Sequence, residues 1–303
     1  MSIINNLHMS TVTPTLRIVL TNECNGKCFF CHREGCLFNN ESPLIMDMKM
    51  LEEIASAINE IGLSKVIFTG GEPTLYDRLS KAIHIIKVSC SGVQMEMTSN
   101  GYDIERILDM QEYLHKITIS VSSLNKDIFT KYTMVDPYVI IDKLSPLKQL
   151  KKSISVVITR ENVLEIDNII DLFLQNGFDI KLQFVISEYQ DEQEWEREVL
   201  HKLFQTYGMF EMKFGSTPML YRKLDRGNKI KIKLYSLNQW MYDNIFVRQN
   251  CLSCPQRKSC TERGCSIRVF PNGWATPCLN NYKVFDGNNV KKNIIDAYKF
   301  IML

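Results

Sequence analysis

Three cysteines within eight residues, Cys24, Cys28 and Cys31, constrain this chain more than anything else in it. Their spacing is C-x3-C-x2-C, directly after an apolar run, Leu16 to Leu20, that reads as a buried strand. Thiols that close on one loop can converge on a single soft metal centre. A structural zinc takes four ligands, usually in pairs, whereas an iron–sulfur cube can be held at three of its irons. The fourth iron is then open to a further ligand, and the chemistry is expected to begin there.

Ten cysteines need a compartment that suits them. Residues 1–14 lack the charged start and apolar stretch of a signal peptide, and no run reaches transmembrane length. The expected location is cytoplasmic, where thiols serve as metal ligands or buried side chains rather than disulfides. Cys36 and Cys90 read as buried or incidental thiols, and the other eight fall into two clusters at opposite ends of the chain. A formal charge of +2 gives no reason to expect nucleic acid or a membrane as partner.

Between the clusters, strand and helix patterns alternate. Strands are expected at Leu16–Leu20, Lys65–Thr69, Val93–Thr98, Ile117–Val121, Ile154–Thr159 and Ile180–Ile186. Helices are expected at Met50–Ile61, Leu79–Val88, Ile104–Leu114, Ser123–Tyr132, Tyr138–Leu150, Leu164–Gln175 and Glu192–Tyr207. Six such alternations imply parallel strands with right-handed crossovers, too few for a closed eightfold barrel. The expected fold is α/β, a partial (β/α)6 TIM-type barrel over residues 1–215. A small C-terminal iron–sulfur appendage is expected over 216–303, with a soft boundary near 210–220.

Polar motifs stand at the ends of successive strands. Gly70-Gly71-Glu72-Pro73 closes the second, Thr98-Ser99-Asn100-Gly101 the third, and Ser120 to Ser122 the fourth. Carboxyl ends of parallel strands are where such folds build their sites. Paired glycines expose backbone carbonyls to a bound ammonium, and Glu72 can add charge. An ordinary turn after a strand would explain the glycine motif taken alone, and zinc or a redox loop would explain the cysteines taken alone.

Together, the cysteine loop with Phe30 before its third thiol, the Gly-Gly-Glu-Pro turn and the strand-end polar residues resemble the radical S-adenosylmethionine (SAM) enzymes. The resemblance implies a 4Fe–4S cluster on Cys24, Cys28 and Cys31, with the methionine moiety of SAM chelating the open iron. It further implies cofactor contacts from Phe30, Gly70, Gly71, Glu72, Thr98, Ser99, Asn100 and Ser120, and a reductant such as flavodoxin or ferredoxin.

The late cysteines are Cys251, Cys254, Cys260, Cys265 and Cys278. Residues 265–278 alternate like a hairpin turning at Asn272-Gly273, which brings Cys265 near Cys278. Four of the five could ligate a second iron–sulfur cluster or, on spacing alone, a zinc. The run resembles the Twitch or SPASM auxiliary-cluster regions of some radical SAM enzymes. It departs by one residue between Cys260 and Cys265 and lacks the upstream pair, which implies one auxiliary 4Fe–4S cluster.

Over most of its length the chain resembles the molybdenum-cofactor GTP 3′,8-cyclase family, through Leu16-Arg17-Ile18, Phe68 to Pro73, Thr98 to Gly101, Ile119 to Leu124 and Arg268. That resemblance implies substrate contacts from Arg17 and Arg268. Where the family has cations this chain has Ile67, Ser153 and Ser266, where it has an aspartate the chain has Ser122, and the end reads Ile301-Met302-Leu303 instead of paired glycines. Losing cationic clamps weakens the hold on a triphosphate. The expected activity is therefore hydrogen abstraction from a small nucleoside-, nucleotide- or sugar-like substrate. A maturase of a ribosomally made peptide is the alternative, favoured by the SPASM-like cysteines. Against it, the chain starts almost at its first strand, so no leader-binding domain is expected ahead of it, although a separate recognition protein could supply that function. A true cyclase is a second alternative, and a non-catalytic electron carrier the reading outside enzymes. A carrier would need no cofactor pocket at the strand ends.

Overall fold

The computed structural model describes residues 13–31, 34, 42–132, 135–185, 190–213, 219–225, 227–233, 250, 254, 266–279 and 283–302. Six strands run in chain order: β1 (Thr15–Val19), β2 (Lys65–Thr69), β3 (Gln94–Ser99), β4 (Lys116–Ser120), β5 (Lys151–Ile158) and β6 (Asp179–Phe184). Each pairs with the next in parallel. The helices between them are α1 (Met48–Ile61), α2 (Leu79–Ser89), α3 (Ile104–Leu108), α4 (Lys126–Tyr132), α5 (Pro137–Leu144) and α6 (Ile166–Gln175), followed by α7 (Gln190–Tyr207).

Period-two burial sorts the strand residues onto two faces. Leu16, Ile18, Val66, Phe68, Met95, Met97, Ile117 and Ile119 join the buried faces of the helices in one core. Arg17, Ile67, Glu96 and Thr118 point the other way, into the barrel. α1 shows the local logic: Asp47 caps its N-terminus by accepting from Lys49 N–H at 2.8 Å, and Gly62 ends it at φ 66°. Leu51, Ile54, Ala55, Ala57 and Ile58 form its buried face.

Past residue 207 the chain adds further strands. β7 (Glu211–Lys213), β8 (Met219–Lys223) and β9 (Lys229–Lys233) extend the sheet beyond β6, with β9 parallel to it. At the other edge β10 (Ser266–Val269) pairs in parallel with β1, and β11 (Ala275–Thr276) folds back on β10. The turn between them holds Gly273 at φ 81°, so the expected hairpin is present. The whole sheet has eleven strands in the order β11-β10-β1-β2-β3-β4-β5-β6-β9-β8-β7. Helix α8 (Val290–Met302) packs on α1; Glu53 of α1 accepts the N–H groups of Val290 and Lys291 at 3.0 and 3.4 Å. Buried Asn293 ties α8 to the carbonyls of Gly273 and Gly287 at 2.9 and 2.7 Å.

The fold is thus a partial TIM-type barrel, and its inner face is charged. Lys65 and Glu96 pair at 2.8 Å. Burial pushes the Lys231 ammonium below its usual value, and Asp179, Lys229, Lys65 and Glu96 all act on it. Lys65 sits on β2 and Lys231 on β9, so the sheet curls far enough to bring distant strands within electrostatic reach. No helix among the described residues is long and apolar enough to cross a membrane.

Candidate active site

The cysteine loop leaves the carboxyl end of β1 and is fastened to β2 before it turns. Leu20 N–H donates to Thr69 O at 2.9 Å, Gly71 N–H to Thr21 O at 2.8 Å and Glu72 N–H to Glu23 O at 2.7 Å. The two backbones approach so closely that only glycine fits. A Cβ on Gly71 would lie 2.0 Å from Glu23 O, and one on Gly70 2.7 Å from Thr21 O. The paired glycines therefore continue the β1–β2 contact past the strands and set where the cysteine loop starts.

On that loop, Gly26 N–H points at Cys24 Sγ at 3.3 Å, and Cys28 Sγ donates to Tyr132 O at 3.0 Å. A Cβ on Gly26 would stand 3.0 Å from Tyr132 O, 3.6 Å from Cys24 Sγ and 3.8 Å from Cys28 Sγ, in space the loop keeps open. Burial pushes the Cys28 thiol up to about 11, with Cys31 and then Cys24 adding to it, so the three sulfurs sense one another. Among the described residues no three His, Cys, Asp or Glu groups close on a single metal ion. Two thiolates on one zinc lie roughly 4 Å apart given Zn–S bonds of about 2.3 Å. Thiolates on separate irons of a cube stand wider. The donor set, three soft sulfurs on one short loop with an N–H aimed at a sulfur, fits an iron–sulfur cube held at three of its irons.

Phe30 belongs to an aromatic group beside the thiols: its ring centroid is 5.1 Å from Phe29 and 5.3 Å from Tyr132. Tyr132 Oη donates to Glu161 at 2.5 Å, which also pairs with Lys131 at 3.1 Å. This wall comes from the end of α4 and the turn after β5.

Glu72 is placed at the site but turned inward. It is 1% exposed, and its Oε1 accepts from Thr74 N–H (3.0 Å), Thr74 Oγ1 (2.7 Å) and Ser99 Oγ (2.7 Å). Its Oε2 accepts from Asn100 N–H at 2.7 Å. Burial raises its pKa against the pull of those four bonds. The carboxylate fastens the Gly-Gly-Glu-Pro turn to the end of β3, where sequence reasoning expected it to add charge towards an ammonium. Asn100 then reaches the cysteine loop, its Nδ2 donating to Asn25 Oδ1 at 2.8 Å. Thr98 and Ser120 face the barrel interior on β3 and β4.

Two site residues escaped the sequence reading. Arg106 of α3 donates to the carbonyls of Thr74, Tyr76 and Asp77 at 2.5, 2.9 and 2.8 Å, clamping the segment after Glu72. Glu34, 6% exposed, holds both candidate substrate arginines. Arg17 Nε and Nη2 donate to its two carboxylate oxygens, the second at 2.7 Å, and Arg268 Nε donates at 2.7 Å. Nothing in the sequence signalled it, because Arg17 and Arg268 come onto one face only through the β1–β10 pairing. Of the late cysteines, Cys278 is buried and Cys254 half-buried, while Cys251, Cys260 and Cys265 lie outside the described residues.

Known proteins are similar to this chain. The family model described as Radical SAM superfamily matches residues 18–196. A probable GTP 3′,8-cyclase of Sulfurisphaera tokodaii is 32% identical over 173 residues, 54% of this chain and 53% of the relative. Another, of Thermococcus kodakarensis, is 33% identical over 123 residues, 40% of this chain and 39% of the relative. The chain thus spans about half the length, or less, of these curated relatives. Among solved structures, Streptococcus suis SuiB bound to precursor peptide SuiA is similar with a TM-score of 0.65 and 17% identity, covering 95% of this chain and 65% of SuiB. That likeness is one of fold.

Proposed function

We propose that this chain, which belongs to the radical SAM superfamily, abstracts hydrogen from a small nucleoside-, nucleotide- or sugar-like substrate in a biosynthetic pathway. Membership makes the protein an iron–sulfur, SAM-dependent enzyme. In that family the 4Fe–4S cluster and SAM, when bound, supply a 5′-deoxyadenosyl radical. The observation that carries the reading is the fastening of the cysteine loop to two strand-end motifs through Gly71, Glu72 and Asn100.

Cys24, Cys28 and Cys31 are the residues that would hold the cluster. Phe30, Gly70, Gly71, Thr98, Ser99, Asn100 and Ser120 surround the place for SAM, and Glu72 keeps that surround in register. The aromatic group of Phe29, Phe30 and Tyr132 packs together beside the cysteine loop. Arg17 and Arg268 face the substrate. The late cysteines would hold one auxiliary cluster, and the electron would come from a flavodoxin or ferredoxin.

A peptide maturase is the second reading, favoured by the late cysteines. The cyclase activity named for the relatives is the third, and Ile67 and Ser153 count against it. Anaerobic reconstitution followed by assay for 5′-deoxyadenosine from SAM and dithionite tests the enzyme class. An intact cluster that yields no product above background would sink it. Product that rises with a nucleotide or sugar library, and not with cysteine-rich peptides, separates the first two readings.

A further inference from the structure

The two halves of the cysteine loop are fastened to different parts of the sheet. The first half is tied to β2 and β3 through Gly71, Glu72 and Asn100. The second half, Cys28 to Cys31, lies against the end of α4. Tyr132 O is 3.0 Å from Cys28 Sγ, and the Tyr132 ring centroid is 5.8 Å from Phe29 and 5.3 Å from Phe30. At 2% exposure Tyr132 is as buried as a core residue, although it stands beside the thiols.

Tyr132 is itself held from the far side. Its Oη donates to Glu161 at 2.5 Å, and the Lys131 ammonium pairs with Glu161 at 3.1 Å while standing 4.8 Å over the Tyr132 ring. The bonds from Tyr132 and Lys131 hold the Glu161 carboxyl below its ordinary range, so it is an ionised acceptor at neutral pH. The turn that carries Glu161 is fixed in turn by its neighbour. Asn162 accepts Thr159 N–H at 2.8 Å and donates to Ser122 O and Val157 O at 2.7 and 2.9 Å. Direct contacts therefore run from the ends of β4 and β5 through Asn162, Glu161 and Tyr132 to Phe30 and Cys28.

We propose that Tyr132 is a positioning residue for SAM binding, and that its hydroxyl bond to Glu161 makes it one. The tie sets the second half of the loop in register with β4 and β5, as Gly71, Glu72 and Asn100 set the first half in register with β2 and β3. Phe30 directly precedes Cys31, so the ring that Tyr132 orients and the third thiol move together. Tyr132 acts through that loop and not on the reacting atoms. The inference rests on the radical enzyme reading and adds Tyr132 and Glu161 to the residues that serve its cofactor.

The test is equilibrium dialysis of SAM against the anaerobically reconstituted full chain, with iron content measured on each variant. Tyr132→Phe keeps the ring and removes the hydroxyl, and Glu161→Ala removes the acceptor at a half-exposed position. Each should weaken SAM binding by about fivefold with its iron intact. The double variant should lose no more than either single one, because both break one bond. Glu161→Gln keeps an oxygen acceptor and should bind SAM within about twofold of wild type. On the reduced cluster, the change in the electron paramagnetic resonance signal on adding SAM should need correspondingly more SAM in the two weakened variants. Unchanged SAM affinity in Tyr132→Phe or Glu161→Ala overturns the proposal, as does a Glu161→Gln protein as weak as Glu161→Ala. Iron loss that accounts for the weaker binding of Glu161→Ala overturns it too. If Tyr132→Phe does not fold or load iron, the two Glu161 variants decide. Wild type that holds a full cluster and binds no SAM would count against the radical enzyme reading instead.

Discussion

Gly71 and Glu23 are fitted to each other at backbone distance: a methyl group on the glycine would stand 2.0 Å from the glutamate carbonyl oxygen. Neither atom belongs to a flexible side chain, so one backbone must move. Gly71→Ala should therefore lower stability by about 1–3 kcal/mol, the usual cost of overpacking. It should also weaken SAM binding, because the displaced segment is the one that leads into Cys24. Urea denaturation and equilibrium dialysis with SAM check the two halves separately.

Glu72→Gln is a harsher change than its size suggests. Oε1 receives the Thr74 N–H and Oε2 the Asn100 N–H, and neither backbone donor can turn round. Whichever way the amide is placed, its NH2 faces an N–H. The variant should lose about 1–3 kcal/mol in urea denaturation. Ser99→Ala, which removes a hydroxyl and leaves three donors in place, should lose about 1 kcal/mol.

The barrel interior predicts a pH dependence. Burial lowers the pKa of Lys116 and of Lys231; the Lys231 ammonium lowers that of Lys116 further, and Lys229 and Lys65 lower that of Lys231. Between the lowered folded values and the ordinary lysine value the unfolded chain holds more protons, so stability rises with pH across that alkaline window. Lys231→Met should raise stability at neutral pH and flatten the slope. Melting temperatures at pH 7 to 10 would show it, and an unchanged slope would contradict it.

Iron content separates the cysteines by role. Serine at Cys24, Cys28 or Cys31 should abolish 5′-deoxyadenosine formation and strip iron from the first site. On the auxiliary cluster proposed above, Cys278→Ser should remove only that second share. Cys90 is buried with its sulfur 3.5 Å from Ala55 O, and Cys90→Ala should keep all the iron while costing about 1 kcal/mol. Iron and sulfide assays on reconstituted variants give the comparison.

Much of this was legible in the residues because it is local. Alternating apolar positions marked β1 to β6, and glycine and polar clusters marked their ends. Helix lengths were less legible: α3 stops at Leu108 and α5 at Leu144, where expectation ran on to Leu114 and Leu150. β9 was missed as a parallel neighbour of β6, since Lys-Ile-Lys-Ile-Lys shows a strand but carries no sign of its partner. The same holds for β10 on β1. At the site, the thiols and strand-end motifs were visible. The inward commitment of Glu72 and the capture of two arginines by Glu34 were not, because both depend on which distant side chains the fold brings into range.

The β1–β10 pairing bears on how the protein is made. β1 receives β2 from nearby in the chain, but its other edge waits for Ser266–Val269. A ribosome adding roughly 5–20 residues per second leaves that edge bare for on the order of 10–50 s. Throughout that interval the thiols after β1 have been synthesised while Arg268, the α8 helix and the late cysteines do not yet exist. Delivery of iron to the growing chain would meet an unfinished wall until Ser266–Val269 has been added.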